Sequence, residues 1–194
     1  MDGREAGCPC RGRRRVLGGM ASLAVASLLP GSVQAAGPEK LPPQVGDLLA
    51  TPSWDEQPRV ITPAAIKLDA PPLMVFPQDP TSGTMREASR LNQILLVRLA
   101  PDKLDEITAK HAADGILAYA GTCTHTGCTV TEWNDKVLHF VCPCHLSEFD
   151  PARAALRVTG PAPRPLPALP LRIEAGKLLV AGPFTARVGG AKPA

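Results

Sequence analysis

Two short boxes hold most of the side chains in this sequence that could bind a soft metal. The first is Cys123-Thr-His-Thr-Gly-Cys128 and the second is Cys142-Pro-Cys-His145, followed directly by Leu146-Ser147-Glu148-Phe149. Each box offers one Cys and one His at close, ordered spacing, C-x-H and then C-x-x-H, with one further Cys left over. A C-x-H step puts a thiolate and an imidazole of different reach on one tight loop, so a single loop can serve two metal ions. Two thiolates with two imidazoles are the donor set of a [2Fe–2S] cluster in which His₂ replaces Cys₂ on one iron. Zinc also accepts Cys and His at similar density, but a structural zinc site explains neither the order of the boxes nor the leftover pair. A catalytic thiol has less support, since no Cys–His–Asn order is present. His111 and His139 lie outside the boxes and read as an exposed helix residue and a strand residue.

The elements that must present these boxes are short and β-like. Arg59–Thr62 and Leu73–Phe76 are brief β-type runs bounded by prolines. Gln93–Leu99 is a nearly continuous apolar run with flanking breakers, as in a strand buried on both faces. Pro101–His111 has helical spacing at Leu104 and Ile107, with Asp114-Gly115 as a stop, and predicts one short helix inserted between strands. Gly115–Ala120 predicts a strand running into the first box. Thr129–Trp133 and Lys136–Val141 predict a hairpin about Asn134-Asp135 that delivers the second box. Leu156–Val158 predicts a strand, and Leu169–Glu174 and Lys177–Ala181 a closing hairpin about Ala175-Gly176. Many short strands punctuated by Gly and Pro predict an all-β, antiparallel sandwich or small barrel.

Charge and composition bound the rest. The 194 residues carry 21 Lys+Arg against 18 Asp+Glu, and the whole excess falls in residues 1–35, with Arg4, Arg11, Arg13, Arg14 and Arg15 against Asp2 and Glu5. A body that is balanced in charge and only 4% aromatic has no footprint for nucleic acid. Arg13-Arg14-Arg15 opens an apolar run, Val16–Leu29, too short to span ~30 Å of hydrocarbon and closer to the core of a signal peptide. The paired arginines predict a twin-arginine signal over residues 1–35, or an N-terminal anchor if it is retained, and therefore a periplasmic protein. Cys8 and Cys10 precede the arginines and are given no role. Residues 36–58 are rich in proline and predict an extended linker, residues 59–185 the folded domain, and residues 186–194 a flexible tail.

The two boxes, with S-x-F following, resemble the Rieske iron–sulfur family over about residues 90–182. The resemblance is sharp at 121–150 and at Gly160-Pro-Ala-Pro163, which is similar to the family's proline loop. It implies a Rieske-type fold and one [2Fe–2S] cluster per chain. By the same resemblance, Cys123 and Cys142 hold the inner iron, and His125 and His145 the outer one. Cys128 and Cys144 match the disulfide that clips the two cluster loops, a bond suited to an oxidising compartment. Ser147 matches the residue whose hydroxyl donates to a cluster sulfur, and Phe149 the place where high-potential members carry a Tyr. Gly160, Pro161 and Pro163 match the loop that covers the cluster. Leu146 departs from the glycine that quinol-oxidising members carry there.

The resemblance further implies an electron-transfer protein or subunit rather than a catalyst acting alone. Its donor would be quinol or the redox centre of a partner subunit, and its acceptor of cytochrome type. The form from Cys142 to Asp150 is also similar to the Rieske small subunit of arsenite oxidase, whose partner contains molybdenum, whereas the proline loop leans towards cytochrome bc complexes. An oxygenase component and a zinc-binding interaction module are rivals from other classes. The export leader and the Cys128/Cys144 pair count against the oxygenase component.

Overall fold

The computed structural model describes residues 37–54 and 57–190. The segment read as a twin-arginine signal, with Cys8 and Cys10, lies outside the described residues. Among those described, no helix is long and apolar enough to cross a membrane.

Among the described residues, ten strands build two antiparallel sheets. Six of them form the larger sheet in the order β4-β3-β2-β1-β10-β9: β1 Leu48–Ala50, β2 Leu73–Gln78, β3 Ile94–Arg98, β4 Ile116–Ala120, β9 Leu171–Glu174 and β10 Lys177–Val180. The smaller sheet has the order β5-β6-β7-β8: β5 Glu132–Asn134, β6 His139–Cys142, β7 Ser147–Asp150 and β8 Leu156–Thr159. The edge strand β4 also accepts at Ala118 O from Leu169 N (2.8 Å), and its Ala120 N donates to Pro167 O (2.9 Å). The chain leading into β9 thereby curls the larger sheet towards a small barrel.

The apolar run in β3 and β4 is explained by burial on both faces. Side chains alternate across a strand, so Ile94, Leu96, Ile116 and Ala118 enter the core lined by β1, β2 and β10. Leu95, Val97, Leu117 and Tyr119 enter a second core with Phe140, Phe149, Cys123 and Cys142. The larger sheet is therefore the floor on which the smaller one rests. Tyr119 donates its hydroxyl to Pro151 O (2.7 Å), satisfying the one polar atom its buried ring brings inside.

Several expectations need correction. Residues 36–58 are not simply a linker, because β1 lies inside the larger sheet, between β2 and β10. The preceding prolines lack N–H groups, but their segment is held through its carbonyls. Arg86, buried, donates to Pro38 O (2.9 Å) and to Asp47 Oδ2 (2.8 Å), and Asn92 Nδ2 donates to Leu41 O (2.7 Å). Arg59–Thr62 forms only an isolated bridge, Val60 to Ala50. The single helix expected over Pro101–His111 is broken into a 3-10 turn at Pro101–Lys103 and α1 Glu106–Ala109. Asp105 divides them, because its carboxylate accepts from Thr108 N (2.7 Å) as an N-cap and a cap must sit outside the helix. The β5–β6 turn spans 135–138 rather than Asn134-Asp135, with Leu138 at φ 61°. The segment 186–190, expected to be part of a flexible tail, is bonded to the body as described below.

Candidate metal centre

The first box is the loop that leaves β4. Cys123 N donates to Cys128 O (2.8 Å), Gly127 N to Cys123 O (3.1 Å) and Val130 N to Gly121 O (2.9 Å), so the loop closes on its own backbone. Its conformation requires Gly127 at φ 82°. The second box is the turn between β6 and β7, where Cys142 pairs with Ser147 and Leu146 N donates to Cys142 O (2.9 Å). Leu146 turns this corner at φ 55°, in the left-handed region that favours glycine, and its side chain stands 64% exposed at the tip.

The structure brings both boxes together. Cys128 and Cys144 are joined by a disulfide, with their Cα atoms 6.5 Å apart. Cys123 and Cys142 are free thiols and both are buried. Burial pushes the Cys123 thiol up to about 11; a hydrogen bond from the His125 backbone opposes this, and the neighbouring Cys142 adds to it. Above the thiols, His125 Nδ1 and His145 Nδ1 face one another at 3.2 Å, with the ring centroids 4.6 Å apart. His125 is half-buried and His145 exposed.

This donor set suits a [2Fe–2S] group. Two adjacent buried thiols are inert as nucleophiles, but soft metal binding deprotonates them. Two imidazole nitrogens that face each other at 3.2 Å would supply the remaining donors. The sulfurs of Cys128, Cys142 and Cys144 also lie within 4.8 Å of one another. The disulfide ties up two of those three, so they are no thiolate set for zinc. His111 and His139 stay apart from the centre: His111 lines a shallow cleft with Ile107 and Arg164, and His139 Nδ1 lies 3.1 Å from Glu148 Oε1.

The surroundings of the boxes are closely fitted. Ser147 is fully buried, and its Oγ accepts from Ala162 N (3.0 Å), which leaves the hydroxyl proton for another acceptor. Phe149 is fully buried in the same core as Cys123 and Cys142. Gly160 has φ +86°, and a Cβ there would collide with the Ser147 backbone. Gly160 therefore lets the loop through Pro161 and Pro163 close against the second box. Gly160→Ala should cost about 2 kcal/mol or more, from left-handed backbone strain and overpacking together. Thermal unfolding would show it as a clear drop in midpoint, and an unchanged midpoint would refute the close approach.

Several contacts around the centre were not legible in the sequence. Thr124, fully buried, donates to Arg164 O (2.6 Å). Arg164 in turn donates to Arg187 O (2.7 Å) and to Gly189 O. Gly190 lies so close to the first box that a Cβ on it would stand 2.7 Å from His125 O. Arg90 Nη2 donates to Gly127 O (2.5 Å). A threonine hydroxyl, a carbonyl and a lone glycine have no distinctive spacing, so no local signal marked them.

Comparison with known proteins agrees with this geometry. Residues 73–170 match the family described as Rieske [2Fe-2S] domain. A protein of Haloferax mediterranei named for a Rieske subunit of respiratory nitrate reductase is 39% identical over 119 residues, covering 60% of this chain and 50% of that protein. The cytochrome bc1 complex Rieske iron-sulfur subunit of Streptomyces lividans is 37% identical over 100 residues, covering 50% of this chain and 59% of that one. The chain thus spans about half the length of these curated relatives. Among solved structures, the soluble domain of Rieske protein II from Sulfolobus acidocaldarius is 22% identical with a TM-score of 0.40, covering 51% of this chain and 65% of that one. With a family match across half its length and both boxes folded into one paired-loop centre, the chain belongs to the Rieske [2Fe–2S] domain family.

Proposed function

We propose that this chain is a one-electron carrier, acting as a subunit of a respiratory oxidoreductase complex rather than as a catalyst alone. The observation that carries the reading is the pair of buried thiols, Cys123 and Cys142, set beneath two imidazoles that reach the surface at His145. Cys123 and Cys142 would hold the inner iron, and His125 and His145 the outer one. A [2Fe–2S] group bound there supplies a one-electron couple. The protein's part is to exclude water around the thiols, to hold the imidazoles rigidly and to aim a hydroxyl. Ser147, which accepts from the Ala162 N–H, would donate its proton to a cluster sulfur and so favour the reduced state. Phe149 brings no such donor.

The donor is quinol or the redox centre of a partner subunit, molybdenum-containing in the second reading, and the acceptor is of cytochrome type. Similarity to the nitrate reductase and bc1 Rieske subunits supports a complex of respiratory kind. Export through the twin-arginine segment to the periplasm, with that segment cleaved or retained as a membrane anchor, belongs to the same proposal. A disulfide between the loops is consistent with an oxidising compartment. Reductive titration of the purified chain followed by EPR tests the reading. A reversible one-electron step with a Rieske-type signal is expected, and a colourless protein with no signal on reduction would overturn it.

A further inference from the structure

The charge around the first box is one-sided. No Asp or Glu occurs between Glu87 and Asp102, between Asp114 and Glu132, between Asp135 and Glu148, between Asp150 and Glu174, or after Glu174. These are the stretches that fold together at the metal centre: the segment of Arg90, both boxes, the proline loop and residues 187–190. Four arginines project from them. Arg90 donates to Gly127 O (2.5 Å), Arg157 to Gly160 O (2.9 Å), Arg164 to Arg187 O (2.7 Å) and Arg187 to Gly190 O (2.5 Å).

All of these acceptors are neutral carbonyls. Among the described residues, no carboxylate lies within ion-pair distance of these four. Arginines elsewhere do have such partners: Arg98 pairs with Asp114, Arg153 with Asp150 and Arg172 with Glu174. Burial, and then the like charge of Arg187, hold the Arg164 guanidinium below its ordinary value, so the two cations are near enough to feel each other. Arg90, Arg157 and Arg187 are exposed.

We infer that Arg90, Arg157, Arg164 and Arg187 form a basic collar around the His125/His145 pair that receives a carboxylate-rich face of the redox partner protein. The inference rests on the proposed electron-carrier function and adds the chemistry of the partner. Carbonyl bonds fix each guanidinium without neutralising it, which preorganises the positive field. Such a field speeds encounter with an opposite charge by about 10-fold or more and weakens with salt. Leu146, exposed at the tip, supplies a small apolar seat inside the charged rim, the usual arrangement of a protein interface. A protein is favoured over an anionic lipid surface because these arginines are anchored on the first box and on segments packed against the two boxes, where an electron must meet a second redox centre.

The test uses the full holo chain, reduced with dithionite and then oxidised by either of two probes. The reduced group loses one electron, and hexacyanoferrate(III) becomes hexacyanoferrate(II), or tris(phenanthroline)cobalt(III) becomes the cobalt(II) complex. Raising the salt so that the screening length falls from about 30 Å to about 3 Å should slow the anionic probe at least about threefold and speed the cationic one. R90Q with R187Q should shift the two rates in the same opposite senses at low salt, after correction for any change in potential. A merely structural role for these arginines would move both rates together. Calorimetry with redox-inert hexacyanocobaltate(III) should show binding at least about threefold weaker in the double variant.

Rates indifferent to salt, rates that move together, or equal hexacyanocobaltate binding would each overturn the collar and leave the carrier function standing. A chain that takes no electron from dithionite overturns both. Rates indifferent to salt, with Arg90- and Arg187-dependent binding to phosphatidylglycerol vesicles, would overturn the protein partner in favour of a lipid surface.

Discussion

Cys123→Ala and Cys142→Ala should each give a chain whose Cys128–Cys144 disulfide still closes but which retains no iron and no EPR signal after reduction. Both thiols are buried and adjacent, and neither is tied up in the disulfide. Alanine removes a donor that no neighbour can replace, because the other two cysteine sulfurs of the loops are bonded to each other. His125→Ala and His145→Ala should likewise abolish the wild-type spectrum, because they remove the two nitrogens that meet at 3.2 Å. Iron analysis, EPR and far-UV circular dichroism together separate loss of the cluster from loss of the fold. Retention of the full spectrum in any one of the four variants would dismiss that residue as a ligand.

The double variant Cys128→Ser, Cys144→Ser should be the next most damaging. The bond joins residues 16 apart in sequence, and a loop of this size is worth roughly 3 kcal/mol in the chain-entropy account. Against total stabilities of about 5–15 kcal/mol for a domain, that is a large share. The loss falls on the two loops that must approach each other, so the loaded protein should assemble but shed its iron faster on dilution into chelator. Denaturant unfolding measures the first effect and chelation kinetics the second. If thiol labelling of the folded wild type, mapped by peptide, found Cys128 and Cys144 reactive, the disulfide would be refuted. If iron loss were unchanged in the double variant, the disulfide would have no part in holding the loops together.

Much of the centre could be read from residue type and spacing. C-x-H and C-x-x-H are local, and a loop too short to do anything else must present both side chains on one side. The strands β3 and β4 were equally legible, since apolar residues on both faces leave an uninterrupted hydrophobic run. The closing hairpin was marked by its Ala-Gly turn. Leu146 was visible as a departure from glycine, and its φ of 55° shows why glycine is natural there.

What escaped the sequence depends on contacts between distant residues. Prolines before β1 suggested a linker, because periodicity carries no record of the buried Arg86 and Asn92 that bond the Pro38 and Leu41 carbonyls of this segment. Asp105 interrupts a helical pattern that apolar spacing alone would have continued. Residues 186–194 read as a flexible tail, yet Gly190 packs against His125 because the absence of a Cβ permits that approach. The sequence carries the donor chemistry and the strand pattern because both are set within a few neighbouring residues. The meeting of the two boxes, the seat of the proline loop on Ser147 and the ring of unneutralised arginines arise only on folding, since each depends on backbone from remote segments arriving at one place.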